Sequence, residues 1–443
     1  MKAETEDAVV THRWRDRFVS LGVLLTLAGV FTYRGWDARN RLMYLDEIFV
    51  EEALRPAVIY YRGFTDAFGE TVFLHPFSGY LHTIVRGVTE LILIGPLTDY
   101  PGWTFLFATA VWSLCAWLIF LAVRAIVGPT AGVLAALSLA LLHASSLILL
   151  GQLNAVQWPM LVACVIAVAL DYRPRSKVGT VAYPLFLVAT SLNAALAFIP
   201  IAMLGWRVLA LPRRKSLRDA VHFLLMAVPF TLQLLTYYGQ QIRTVDGRNP
   251  WWYMWREIAY VPTLLLPGSL RESPQDVLSG WRLVLLLVFL IGIATTVFTG
   301  ILVNLKGERR TSRLLVELSL VTVATSIISV YFNGNLNHQY VLIPYVSAWT
   351  AVVVAANSML RHGSLRPWGQ VASMGAVFIF VYSSVGLWKN DFGDSFFGQP
   401  QRIDLTEAIR KARSSCVNKD DDTEIFLTSY SILLPCDLIR ELR

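Results

Sequence analysis

The chain has 443 residues, 55% of them hydrophobic and only 16% charged, and its mean hydropathy is +0.52. A soluble domain carries roughly 25% charged residues, so the composition excludes an ordinary soluble fold and calls for lipid as solvent. The net charge of +7 would suit nucleic acid, but Lys and Arg are split among short connecting segments and build no single basic face, which excludes a nucleic-acid partner.

A helix needs about 20 apolar residues to cross the hydrocarbon of a bilayer. Charge-poor runs near that length lie at 18–33, 103–123, 128–150, 158–170, 180–193, 196–211, 220–237, 281–303, 314–332, 339–357 and 368–388. They predict an all-α integral membrane protein of about eleven transmembrane helices. Alternate connections carry Arg13, Arg15 and Arg17; Arg124; Arg173, Arg175 and Lys177; Arg213, Arg214, Lys215 and Arg218; Lys306, Arg309, Arg310 and Arg313; and Arg361 and Arg366. The intervening short connections, 151–157, 193–195 and 333–337, have no Lys or Arg. Positive charge stays inside, so residues 1–17 are expected in the cytoplasm, 18–388 in the membrane domain, and the tail 389–443 outside. Bulky Tyr33, Arg34 and Trp36 follow the first run where a signal peptide would carry small residues, so that run is expected to remain as a helix. Of four cysteines, Cys416 and Cys436 fall in the outer tail, where disulfides persist, and are expected to pair.

Two outer loops are long, 34–102 and 238–280, and long loops often carry function. The first opens with Tyr44-Leu45-Asp46-Glu47-Ile48-Phe49-Val50-Glu51-Glu52. On a helix Glu47 and Glu51 are neighbours one turn apart whose like charges repel unless a cation or a substrate hydroxyl lies between them; a solvated helix end gives the same spacing. The loop continues through His75-Pro76-Phe77 and His82 to Arg86, and its apolar stretch 81–97 suits a helix lying in the membrane interface. The second loop carries Pro250-Trp251-Trp252-Tyr253-Met254-Trp255-Arg256, an aromatic signature of the headgroup region. Ion-coupled transporters keep carboxylates at mid-membrane; here no acidic residue falls at the middle of a run. Polar residues instead mark the outer ends: Gln152, Asn154, Gln157, Asn193, Asn333, Asn335, Asn337 and His338.

Leu45-Asp46-Glu47 directly after the first run, His75-Pro76 later in the same loop, and Asn337-His338-Gln339-Tyr340-Val341-Leu342-Ile343-Pro344 opening a late run together resemble the GT-C superfamily of polytopic membrane glycosyltransferases. Phe77 stands where relatives often have a second proline. The resemblance implies an inverting transfer of a hexosyl or pentosyl group from a polyprenyl-phosphate sugar to a glycan, lipid or protein acceptor. It implies Asp46 as general base and Glu47 holding the acceptor or supporting the base, because the acceptor hydroxyl must lose a proton. Arg86, Arg256 and His338 become candidates for holding the leaving phosphate, with Arg55 and Arg62 as rivals, and Glu51, His75, His82 and Tyr340 complete the substrate-binding set. No cofactor is assigned; some members of the superfamily use a divalent cation and others none, and the Glu47, Glu51 and Glu52 cluster has the chemistry to bind one, although no metal is assigned. The expected place is a plasma membrane, with bacterial cell-envelope or cell-wall glycan as the setting. A flippase or other transporter, which wants polar groups through the full membrane depth, and a non-enzymatic assembly subunit with the tail as partner surface are the alternative readings.

Overall fold

Apolar runs without charge fold as helices because a helix satisfies its own backbone where the solvent offers no hydrogen bonds. The computed structural model describes residues 2–36, 39, 50, 76–77, 80–140, 150, 152–174, 176–210, 217–237, 280–306, 309–333, 338–389, 404–421, 423–426 and 433–441. Within them the helices are α1 (Lys2–Gly35), α2 (Thr83–Ile92), α3 (Tyr100–Val127), α4 (Pro129–Ala140), α5 (Gln157–Ala169), α6 (Lys177–Asn193), α7 (Phe198–Ala210), α8 (Leu217–Tyr237), α9 (Gly280–Lys306), α10 (Arg309–Asn333), α11 (His338–Arg361) and α12 (Arg366–Lys389). Every apolar run read from the sequence carries one of them, although residues 141–149 of the third run lie outside the described residues. Among the described residues, four stretches are long and apolar enough to cross a membrane: Arg17–Gly35, Leu97–Val127, Arg309–Ile328 and Leu342–Arg361. Shorter apolar helices occupy Pro129–Ala140, Asn154–Ala169, Phe198–Leu209 and Leu290–Leu305.

Burial sorts these helices. All of α5 is buried, as befits a helix apolar on every side, and α3, α6, α7, α10 and α11 pack around it. Outer helices expose one face, with Phe18, Leu21 and Leu25 on α1, Val181 and Leu185 on α6, Leu224 and Val228 on α8, and Leu320 and Val323 on α10 all in the open. Apolar surface of that extent marks contact with membrane or partner. Close approaches set the packing. Gly128, at φ +116°, turns the chain between α3 and α4, and a Cβ on Gly132 would lie 2.8 Å from the Phe120 carbonyl oxygen, so only glycine lets the two helices meet there. Trp117 Nε1 donates to Ser20 Oγ at 3.0 Å and fastens α1 to α3.

The C-terminal segment forms a small unit of α13 (Leu405–Cys416), an antiparallel pair of β3 (Glu424–Phe426) with β4 (Leu433–Pro435), and α14 (Cys436–Glu441). Asp404 caps α13 by accepting the Glu407 N–H at 3.1 Å, a preferred N-cap arrangement. Cys416 and Cys436 are disulfide-bonded. Leu405, Ala408, Ile409, Ala412, Leu434 and Ile439 share one apolar cluster with Val50, Leu97 and Tyr100. The tail therefore sits against the first long loop and the start of α3.

The far end of the bundle gathers the arginines. Arg361 donates to the Val127 carbonyl at 2.8 Å, Arg207 to the Ala169 carbonyl at 3.1 Å, and Arg218 to the Tyr172 carbonyl at 2.6 Å. The Val127 and Ala169 carbonyls end α3 and α5, whose last carbonyls have no partner inside the helix and carry the negative end of its dipole, and Tyr172 lies in the turn that follows α5. Basic residues from separate connections thus converge on one end and satisfy its helix termini.

Candidate functional site

The end of the bundle opposite the arginines holds the first long loop. As α1 ends, Gly35 presses on Phe105 so closely that a Cβ would lie 2.9 Å from the ring. Trp36 then meets Phe105 edge-on, with ring centroids 6.1 Å apart, and the Arg39 guanidinium stacks 4.3 Å above the Trp36 ring. Arg34, buried one turn earlier, donates to the Ala140 carbonyl. Eleven residues on from Arg39 the description resumes at Val50, which is fully buried beside Leu97 and Tyr100. Both flanks of the acidic stretch are therefore packed on the N-terminal half of α3.

A two-residue hairpin of β1 (Pro76–Phe77) and β2 (Tyr80–Leu81) leads into α2. The inward face of α2 buries Val85, Arg86 and Thr89 and is therefore partly polar. Its first turn lacks a side-chain cap of its own. Asn193, the last residue of α6, supplies one by accepting the Ile84 N–H through Oδ1 at 2.9 Å, while its Nδ2 donates to the Ala189 carbonyl at 2.7 Å. One side chain thus satisfies an open donor of α2 and holds that helix against α6. Thr89 and the Tyr100 hydroxyl lie 3.2 Å apart, tying the other end of α2 to α3.

His82 and Arg86, both proposed as substrate ligands from the sequence, come together at the start of α2, where the Arg86 N–H bonds the His82 carbonyl at 2.9 Å. Arg86 is only 2% exposed and His82 is wholly buried. Burial, and then the nearby Arg86 charge, push the His82 imidazole down to about 3, so it is neutral at physiological pH. The neutral polar residues that the sequence places at outer helix ends, Gln152, Asn154, Gln157 and Asn193, are all interior. Gln157 Nε2 donates to the Asn154 carbonyl at 3.2 Å. Since α5 finishes at the arginine end, these residues, at its start, share the end that carries α2.

Asp46, Glu47, Glu51, His75 and Arg256 lie outside the described residues, as do the rivals Arg55 and Arg62. His338 and Tyr340 fall in the first turn of α11. Sequence reasoning missed Arg34, Tyr100 and Gln233, whose Nε2 donates to the Ser191 carbonyl at 2.5 Å; the only signal for them was a polar group at or near the end of an apolar run. Among the described residues no three His, Cys, Asp or Glu side chains are grouped to hold a metal ion.

No family model matches the chain, and no curated protein matches it. Among solved structures, the oligosaccharyltransferase of Archaeoglobus fulgidus tethered to an acceptor peptide with an NVT sequon is similar at 12% identity and a TM-score of 0.49, over 92% of this chain and 58% of that one. Its apo form gives 11%, 0.46, 92% and 59%. The archaeal oligosaccharyltransferase AglB of the same organism, in complex with an inhibitory peptide and a dolichol-phosphate, gives 12%, 0.47, 92% and 59%. This chain thus spans less than two thirds of each of those proteins, and likenesses at these scores assign neither fold nor activity.

Proposed function

We propose that this protein is a multi-pass membrane glycosyltransferase that moves a sugar from a polyprenyl-phosphate donor to an acceptor on the non-cytoplasmic side. About eleven helices cross the bilayer in this reading. The arginine end faces the cytoplasm, by the rule that positive charge stays inside. The observation that carries the proposal is the anchoring of both flanks of the acidic stretch: Trp36 packs on Phe105, and Val50 lies in one cluster with Leu97 and Tyr100. A general base is effective only when its surroundings fix its position, and a freely moving loop would not supply that.

In this reading Asp46 takes the proton of the acceptor hydroxyl as it attacks the anomeric carbon. The bond to the prenyl phosphate breaks, and inversion needs no covalent intermediate. Glu47 orients the acceptor. The departing phosphate is met by cations and N–H donors, for which Arg86, Arg256 and His338 are the named residues, with Glu51, His75, His82 and Tyr340 around the substrate. The acceptor is a glycan, a lipid or a protein, and a bacterial plasma membrane is the proposed setting.

Replacing Asp46 by Asn keeps the side chain's shape and removes its basicity. Transfer of a labelled sugar from a polyprenyl-phosphate donor should fall by at least about 100-fold, while insertion and thermal stability in detergent match the parent. Parental transfer by the Asp46→Asn protein would remove the assignment.

A further inference from the structure

At the arginine end, a cleft of about 130 Å³ opens between helix ends, lined by Asp171, Arg173, Arg207, Arg310, Arg313 and Asp219 over an apolar floor that includes Ile126, Leu170 and Leu314. Its chemistry follows from how α5 stops. The Asp171 N–H bonds the Val168 carbonyl and the Tyr172 N–H bonds the Ala167 carbonyl, the two bonds of a Schellman ending. That ending needs a left-handed residue, and Asp171 takes it, at φ +46°. Glycine usually fills this position, and aspartate is among the few side chains that tolerate it. Here it brings a carboxylate into the cleft.

That carboxylate is shared between two guanidiniums, Arg173 at 3.1 Å and Arg310 at 3.6 Å. A second carboxylate, Glu317, is shared in the same way by Arg207 at 2.5 Å and Arg313 at 2.7 Å. Among the described residues each clamp therefore retains a positive charge, against which the cleft lining sets the one further carboxylate of Asp219. Donors are in greater excess than charge, since a guanidinium has roughly five N–H groups. Arg207 uses one nitrogen for both the Ala169 carbonyl and Glu317. Its Nε is buried with no partner among the described residues, although the side chain is only 7% exposed. Buried donors nearly always find an acceptor, and one left open on a guanidinium that lines a cation-rich cleft offers a place for an anion. Arg173 and Arg310, 65% and 62% exposed, stand at the mouth with most of their donors outward.

We propose that this cleft binds a phosphate group, carried by an anionic lipid or free in solution. Planar guanidinium forks match phosphate oxygens in pairs, and basic pockets between helices at a cytoplasmic membrane surface are where lipid headgroups are held. The apolar floor suits the first carbons of a lipid's acyl chains. The site is at the opposite end of the bundle from the proposed transferase site and does not depend on it.

The test uses the full chain purified in detergent. Retention of phosphatidylglycerol and of phosphatidylcholine is compared by native mass spectrometry, and thermal stability is read with sodium phosphate against sodium chloride at matched ionic strength. Phosphatidylglycerol is expected to be retained over phosphatidylcholine, with the preference falling about fivefold for each charge removed in Arg173→Ala and Arg310→Ala. Arg310→Lys, which keeps charge but loses the fork, should weaken retention less. Arg366→Ala, an exposed arginine that does not line the cleft, should leave it unchanged. Stabilisation by phosphate that disappears in Arg310→Ala assigns the free anion as source, and lipid retention without it assigns the headgroup. If neither lipid preference nor phosphate response is seen, or if both survive in the Arg173→Ala, Arg310→Ala double variant, the proposal is overturned.

Discussion

The two ends of the helical bundle handle polarity by different means. At one end, charge is matched by charge: Arg207 and Arg313 close on Glu317, Arg173 and Arg310 close on Asp171, Arg361 reaches the last carbonyl of α3, and Arg218 reaches the turn after α5. At the other, among the described residues, the interior polar side chains besides Arg34 and Arg86 are uncharged. Asn193 caps α2, Gln157 and Gln233 donate to carbonyls, and Thr89 meets Tyr100. The difference teaches where each end can spend free energy. Paired charges brace helix ends but tolerate little change, because removing one partner strands the other. Neutral amides cost less to bury and less to rearrange, which suits the proposal that a substrate enters at this end.

The contrast can be broken most severely at Glu317. Replacing it by Ala leaves Arg207 buried without its counter-charge, and the bundle should lose about 3 kcal/mol, measured by denaturant unfolding of the purified protein in mixed micelles. A loss below about 1 kcal/mol would mean the pair behaves like a surface ion pair, and the two ends would then not differ in kind.

A smaller effect is expected at the neutral end. Asn193→Ala removes the acceptor for the Ile84 N–H and should cost about 1–2 kcal/mol, felt locally as faster hydrogen exchange of α2 amides with little change in the arginine end. Uniform acceleration through both ends would show that they are not independent.

The finest distinction is in pH. His82 is held neutral in the folded protein, its pKa lowered to about 3 against an ordinary value of 6.5. Between those values the unfolded segment binds a proton that the folded one does not, so stability is fully present above about pH 6.5 and declines as pH falls toward 3. Exchange of α2 amides, once corrected for the slower intrinsic exchange at low pH, should accelerate from pH 7 to pH 5, and His82→Gln should flatten that dependence. The α10 amides lie at the arginine end, away from His82, and should not follow. Parallel acceleration in α2 and α10 would assign the effect to something other than His82.

How much was legible in the sequence follows from which interactions are local. Hydropathy and the spacing of Lys and Arg located the helices and sorted their connections, because a helix satisfies its backbone within one segment and its side chains declare their solvent one by one. The polar residues at helix ends could be named for the same reason, as could the cysteine pair. Sequence also singled out Asp46 and Glu47, whose environment lies outside the described residues. What the sequence left open was pairing across distance. Arg207 and Glu317 are separated by 110 positions and Ile84 and Asn193 by 109, and no periodicity links them. Val50 reads as one apolar residue among carboxylates, yet it is fully buried against α3 and the tail. Asp171 reads as a loop aspartate, yet it ends α5 in a left-handed turn and closes the clamp with Arg173 and Arg310. Such choices belong to the packed bundle, since which helix ends meet is fixed by the fit of whole helix faces and by no short stretch of chain.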